Sequence, residues 1–437
     1  MKNRYTPIEV ITAKIISKVE ERKASLRSVM EEYFIANPQE SVVRGVVRAY
    51  AISVFKKYRL IDTIIKDILN IDPYKLDIFE KNLLRSLVYE IKFRKINNKK
   101  ILKIGKRLKS IQLSKKDINS IRNLSVKEIL SNYRGIERIG IEYSLPDWIV
   151  EYLINLLGKP EAFKLFKKFN KKQDIWIRTN TMLIKPSQLL KRLKKKGVIL
   201  EKDNLFHETF RVIESKRNLT HLEEYKRGLF YIQDKSSLLT GHAINAKTWD
   251  YVWDMCSAPG GKSSHLYQIF KGKINIIATD WKIQRIKTMK NILERLRINN
   301  IPLIVTNSVF PPFNRIFDKI IIDPDCSSLG RLGQSPEIRL WLTRDMILDF
   351  QKQQRKLIEI STDYLKKNGT LVYSTCTLTL EENEENVIWA LNNFPFILEP
   401  VDIEFGLKGL KGLNYTRRLY PHIHSTTGFF IAKLRYQ

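Results

Sequence analysis

The feature that most limits what this chain can fold into is a change of hydrophobic period along it. Up to about residue 135, ERKASLRSVMEEYF, ESVVRGVVRAYAISVFKKY, LIDTIIKDILN and LDIFEKNLLRSLVYEIKFRK all carry apolar residues at helical spacing, separated by polar breaks such as ANPQ and IDPYK. From about residue 236 the pattern becomes short runs rich in Val, Ile or Tyr: YVWDMCSA, KINIIATD, PLIVTN, FDKIIIDP, GTLVYST and GFFIAKL. Helical patterns are read between the first five. Apolar residues three and four apart share one face of a helix, whereas short β-branched runs alternating with helices make βαβ units. The two ends therefore belong to different architectures: an all-α domain at residues 1–135, and an α/β domain at 236–437 with a parallel sheet covered on both faces.

Between them, residues 136–235 read as a small α/β module. YSLPDWIVEYLINLLG sets Pro146 and Asp147 at a helix start, where proline and an acid are both favoured. WIRTNTMLI, ETFRVIES and GLFYIQD read as strands, and SQLLKRLKKKG as a basic helix.

Charge narrows the partners. Seventy-seven Lys and Arg against 46 Asp and Glu leave a net +31 and a pI near 9.8. A surplus of that size repels itself unless a polyanion is present, so nucleic acid is the leading inference. Asn97–Lys116 is denser still in positive charge, and suits a solvated helix face and phosphate contacts equally well. No stretch approaches the ~18–20 uninterrupted apolar residues of a membrane span, and the charged N-terminal segment is neither signal peptide nor anchor. Three cysteines, none in CxxC or Cys/His spacing, argue against a disulfide framework and against a metal site. A cytoplasmic monomer that binds nucleic acid is expected.

All three cysteines close strand-like runs: Cys256 in WDMCSAPGGKSS, Cys326 in IIIDPDCSSLG and Cys376 in LVYSTCTLTLEENEEN. An α/β sheet presents its ligand site beyond the carboxyl ends of its strands, so the three point to a site rather than to packing. Gly260 and Gly261 allow a tight turn ahead of a helix N-terminus. Asp280 ends the next strand twenty residues after Gly260, the spacing at which an acid accepts from a ribose diol. From these residues alone, a dinucleotide and S-adenosylmethionine both fit.

Together DMCSAPGGK, DPDCSSLG and YSTCTLTLEENEEN closely resemble the signature motifs of the NOL1/NOP2/Sun (RsmB-like) RNA cytosine-5 methyltransferases. YSLPDWIV, WIRTNT, GLFYIQDKSS, SPEIRLW and YPHIHSTTGFFIAKL extend the likeness, and the helical N-terminus resembles a NusB-like RNA-binding domain. The resemblance implies a Rossmann-like class I S-adenosylmethionine methyltransferase domain and a product of 5-methylcytosine in ribosomal or transfer RNA. It implies that Cys376 attacks, Cys326 releases the product, Asp323 recognises the base, and Lys262 lies near it. It implies cofactor contacts from Cys256, Ser257, Ala258, Pro259, Gly260, Gly261, Lys262, Asp280, Arg285, Asn307 and Asp323. A catalytically silent RNA-binding or assembly factor on the same fold is the alternative.

The chemistry accounts for the residue types. C5 of cytosine is too electron-poor to attack a methyl group until a thiolate adds to C6 and makes the ring an enamine. A thiolate is both a good nucleophile and a viable leaving group near neutral pH. Two positions depart from the family pattern. Asn307 stands for the usual acid near the adenine, and Asp325 for the proline before Cys326. A carboxylate beside that thiol is expected to disfavour its thiolate. Glu381, Glu382 and Glu384 are read as helix N-terminal acids, and Trp148, Trp176 and Trp341 as packing anchors.

Overall fold

The computed structural model describes residues 6–437. They form two compact units, the first reaching to Lys171 and including Leu332–Leu342, the second Lys172–Arg331 with Thr343–Gln437.

The described residues of the first unit contain no strand. Helices Ile8–Arg22, Leu26–Ala36, Arg44–Phe55, Tyr58–Leu69 and Ile78–Tyr89 bury their apolar stripes together, with Val10, Ile15, Val47, Ile61, Ile64, Leu83 and Leu87 at the centre. Helix starts follow local chemistry: Asp77 accepts from the backbone N–H groups of Phe79 and Glu80 at 2.9 and 3.2 Å. Arg85 is buried, and its two-pronged bond to Asp62, 2.7 Å on each side, supplies the charge such burial requires. In the basic stretch, Ile101 and Ile104 turn inward while Lys99, Lys103, Lys106 and Arg107 stay exposed.

SPEIRLW belongs to this helical unit. Arg339, 1% exposed, donates to the carbonyls of Tyr143 and Ser144 at 3.2 Å and to Asn170 Oδ1 at 2.9 Å. Trp341 packs against the helical core, the anchoring role expected of it.

The second unit holds two sheets. Strands β1 (Ile175–Thr179), β2 (Val198–Lys202), β3 (Thr209–Ser215) and β4 (Phe230–Ile232) pair antiparallel in the order β2-β3-β1-β4. Helix Pro186–Lys195 packs Leu189 and Leu193 into this module's core and leaves Lys191, Arg192, Lys194 and Lys195 exposed. The larger sheet contains β5 (Tyr251–Asp254), β6 (Asn275–Asp280), β7 (Leu303–Val305), β8 (Phe317–Ile322), β9 (Leu365–Thr375), β10 (Phe396–Glu399), β11 (Leu407–Lys408), β12 (Arg417–Leu419) and β13 (Phe429–Tyr436). Its order is β11-β12-β13-β9-β8-β5-β6-β7, with β10 on β13. β7-β6-β5-β8-β9 run parallel and β13 antiparallel to β9. Strand order reverses between β5 and β8, which opens a crevice beyond their carboxyl ends.

One expected helix is absent. Residues 306–316, between β7 and β8, form a loop, because Pro311 and Pro312 remove two backbone donors where a helix would need them.

Candidate active site

The crevice is built first by the loop after β5. Ser257 ties it to β6, its backbone N–H and Oγ reaching the Thr279 carbonyl at 2.9 and 3.0 Å. Gly260 has φ +95°, and a Cβ there would come within 2.9 Å of the Met289 side chain. Helix Gly261–Ile269 follows directly. Arg178 of β1, fully buried, donates to the Gly261 carbonyl at 2.9 Å, to Gln233 Oε1 at 2.6 Å and to Ser264 Oγ at 2.9 Å. Asn180, two residues on, donates to the carbonyls of Gly228 and Leu296. The WIRTN segment is thus a brace beneath this loop.

Asp280 at the end of β6 is 1% exposed and accepts from the backbone N–H groups of Ala258 and Lys282 at 3.3 and 3.2 Å. Arg285 reaches the Ala258 carbonyl at 3.0 Å and Asp280 Oδ2 at 3.4 Å. Asp254 is buried. Ser263 donates to its Oδ2 at 2.5 Å, while Oδ1 has no hydrogen-bond partner. Burial pushes its carboxyl up to about 7. Asn307 is exposed two residues beyond β7, and its Oδ1 accepts from the Val309 N–H at 3.1 Å.

Charge separates the two cofactor types left open by the sequence. Burial first, and then Asp325, Asp254, Asp280 and Asp323, push the Cys256 thiol well above its usual range, so four carboxylates act on this loop. Such a field opposes the pyrophosphate of a dinucleotide and suits a sulfonium bearing an ammonium group. The buried, unpartnered Asp254 oxygen and the carboxylate at the end of β6 fit S-adenosylmethionine. The same field makes Cys256 a poor nucleophile.

The reactive side lies on the loops after β8 and β9. The sulfurs of Cys326 and Cys376 are 3.2 Å apart, and Ser328 Oγ is 3.3 Å from Cys376 Sγ. The hydrogen bond between the two sulfurs brings the Cys376 thiol down to about 7 against the opposing effect of burial, with Arg331 and Ser328 assisting. The same bond, followed by burial, pushes Cys326 up, so the two thiols titrate as a coupled pair that loses its first proton more readily on the Cys376 side. Lys262 Nζ pairs with Asp323 Oδ2, and Ser374 Oγ donates to Asp323 Oδ1 at 3.1 Å. The close approach of these loops needs two glycines: a Cβ on Gly330 would lie 2.7 Å from the Cys376 carbonyl, and one on Gly428 would lie 2.6 Å from Gly330 Cα.

Two expectations change. Asp325 does not govern the Cys326 thiol. Its carboxylate turns to Arg285 at 3.0 Å and Trp281 Nε1 at 3.3 Å, while Cys376, burial and Glu382 raise Cys326. Glu384 opens helix Glu384–Asn393, as expected, but Glu382 stands outside that helix and its carboxylate goes elsewhere. Glu384 forms a buried pair with Arg418, 2.6 Å from Nε to Oε1. Glu382, fully buried, accepts from the Ser327 N–H at 2.9 Å, Ser327 Oγ, Thr379 Oγ1 at 2.8 Å and Gln354 Nε2 at 3.0 Å. It fastens the Cys326 loop to the Cys376 loop. Only its place in an acid-rich turn after a thiol marks it in the sequence.

Comparison with known proteins identifies relatives of each part of the chain. A family model described as 16S rRNA methyltransferase RsmB/F matches residues 242–435, an RsmF/B-like ferredoxin-like domain matches 145–217, and the NusB family matches 6–121. A Bacillus subtilis protein named probable ribosomal RNA small subunit methyltransferase B is 26% identical over 99% of both chains. A human 28S rRNA (cytosine(4447)-C(5))-methyltransferase is 31% identical over 68% of this chain, which spans 38% of the human protein's length. The solved structure of a methyltransferase homologue from Pyrococcus horikoshii matches with a TM-score of 0.62 at 33% identity, covering 68% of this chain and 97% of that one.

Proposed function

The chain belongs to the RsmB/F family of RNA methyltransferases, and we propose on that footing that it methylates C5 of a cytosine in RNA, with ribosomal RNA the favoured substrate. The observation that carries this reading is the thiol pair: Cys376 held towards thiolate by Cys326 at 3.2 Å, on the loop next to the Lys262–Asp323 pair.

In this reading the Cys376 thiolate adds to C6 of a cytosine turned out of its stack, at a cost of about a few kcal/mol. Asp323, fixed by Lys262 and Ser374, meets the polar edge of the ring and orients it. The Cys256–Gly261 loop with Asp254, Asp280 and Arg285 would hold S-adenosylmethionine, which when bound would supply an electrophilic methyl group. C5 would take that methyl group with S-adenosylhomocysteine as the leaving group; Cys326, its own proton released to solvent, then accepts the C5 proton, the C6–S bond breaks and Cys376 leaves as thiolate. The exposed Lys and Arg of helices Asn98–Gly105 and Pro186–Lys195 supply phosphate contacts.

We read the chain as three working modules, 1–135, 136–235 and 236–437. They serve a cytoplasmic monomer whose three thiols are all free. No helix among the described residues is long and apolar enough to cross a membrane.

The test is transfer of a labelled methyl group to RNA from cells lacking the protein, with bisulfite mapping of the product. Cys376→Ala abolishes transfer, and Cys326→Ala accumulates a denaturation-resistant protein–RNA adduct. Full turnover by Cys376→Ala would refute the assignment.

A further inference from the structure

Glu208, His242 and His265 lie far apart in sequence and meet in the second unit. Glu208 immediately precedes β3, His242 is on helix Leu238–Ala243, and His265 is on the helix that begins at Gly261. Glu208 Oε1 is 3.3 Å from His242 Nε2 and 3.2 Å from His265 Nε2, and the three ligand atoms all lie within 4.8 Å of one another. None of these residues is used by the methyl-transfer chemistry.

We propose that this cluster is a Zn2+ site. With Zn–N and Zn–O bonds of ~2.0–2.1 Å, two ligands of a tetrahedral ion are about 3.3 Å apart. The two carboxylate–imidazole separations already have that length. The imidazoles are held in place: His242 stacks on Phe206 with ring centroids 4.7 Å apart at 8°. Gly241 makes room for His265, since a Cβ there would lie 2.5 Å from His265 Nδ1. That Nδ1 is buried without a partner, so this ring's burial is compensated only through the Nε2 that faces the cluster. His242 is 30% exposed, which leaves a solvent-side position for water as fourth ligand.

The donor set selects the metal. Glu208 is the one anionic ligand, and the Arg178 guanidinium reaches Ser264, next to His265, at 2.9 Å. So weak a negative field disfavours Mg2+ and Ca2+, which need several carboxylates, and favours an ion that bonds imidazole strongly. Bound there, Zn2+ staples the four-stranded module to the helix that carries the cofactor loop.

The test uses the full-length, tag-free chain, stripped with chelator and titrated with Zn2+, and separately with Co2+ as a spectroscopic stand-in. The expected result is uptake of one ion per chain with the visible absorption of four-coordinate Co2+. His242→Ala, at the partly exposed corner, and Glu208→Gln each weaken uptake at least about tenfold, the least that losing a direct ligand should cost. Circular dichroism of both variants verifies folding. A Cys326→Ser, Cys376→Ser double variant takes up the ion as the unaltered chain does. Absence of stoichiometric uptake overturns the proposal. So does uptake that survives in folded His242→Ala and Glu208→Gln, or that disappears with the two thiols.

Discussion

Glu382 accepts from the backbone N–H of Ser327 at 2.9 Å, and through that bond the loop after β8 is fixed to the loop after β9. Cys326 precedes Ser327 and Cys376 precedes Thr377, whose Oγ1 lies 2.6 Å from Ser327 Oγ. The separation of the two sulfurs is therefore set by a carboxylate that touches neither.

Replacing Glu382 tests this. Glu382→Leu keeps much of the volume but removes the acceptor of all four bonds, leaving the buried Ser327 N–H and the Gln354 amide without it. The expected cost is ~1–3 kcal/mol of stability. The kcat for methyl transfer should fall by about 10–100-fold, since sub-ångström misplacement of reacting groups is costly. Affinity for S-adenosylhomocysteine, measured by calorimetry, stays within about twofold. A loss confined to cofactor affinity would show that Glu382 serves the other side of the crevice.

The thiol pair gives a pH prediction. Cys376 is held down to about 7, so adduct formation with RNA rises with pH through about 7 and levels off above it. Cys326→Ala removes the partner that leads this shift. Adduct accumulates in that variant, so its rate of formation is measurable directly by gel. The midpoint should move up, towards the ~8.5 of an ordinary cysteine. An unchanged midpoint would mean that Arg331 and Ser328, not Cys326, set the nucleophile.

Much of this was legible in the sequence. The change of period separated the helical unit from the sheet, because burial of one face imposes 3.6-residue spacing on helices and short β-branched runs on buried strands. Cys256, Cys326 and Cys376 announced the crevice because each closes a strand. Pairings that depend on where a side chain turns were not legible. Asp325 reads as a neighbour of Cys326, yet its carboxylate goes to Arg285, 40 residues away in the chain. Glu382 reads as a helix-start acid, yet helix Glu384–Asn393 leaves it free to bind Ser327. β2 and β11 were missed because most of their residues face solvent, which leaves no apolar run to signal a strand.

Asp325 gives a separable outcome. Its pair with Arg285 is partly solvated, the side chains being 49% and 33% exposed, so Asp325→Asn should change stability by less than about 1 kcal/mol. It also removes one of the carboxylates acting on the cofactor loop. Affinity for S-adenosylmethionine should fall by about two- to fivefold at low ionic strength, with the difference shrinking in 0.5 M salt as the charge is screened. Calorimetry at the two salt concentrations checks this. A salt-independent loss would point to loop geometry instead.

Asp254 makes the sharpest demand. Its carboxyl is pushed up to about 7 by burial, against ~3.9 in an unfolded chain, so the fold favours the protonated form. That contribution to stability is fully present below pH ~4 and is lost as pH rises through about 7. Asp254→Asn cannot ionise and still accepts from Ser263. Without cofactor, its melting temperature relative to the unaltered chain should therefore climb between pH 5 and pH 8, by the equivalent of a few kcal/mol at most. With S-adenosylhomocysteine at pH 8 the order reverses, because an ionised Asp254 with a vacant oxygen pairs with the ligand's ammonium group and an amide does not. The variant should bind that ligand at least about tenfold more weakly, the cost of leaving a buried charge without its partner. Parallel melting curves across the pH range would show that Asp254 is not the group titrating, and equal affinity in the asparagine variant would show that the orphaned oxygen does not face the cofactor.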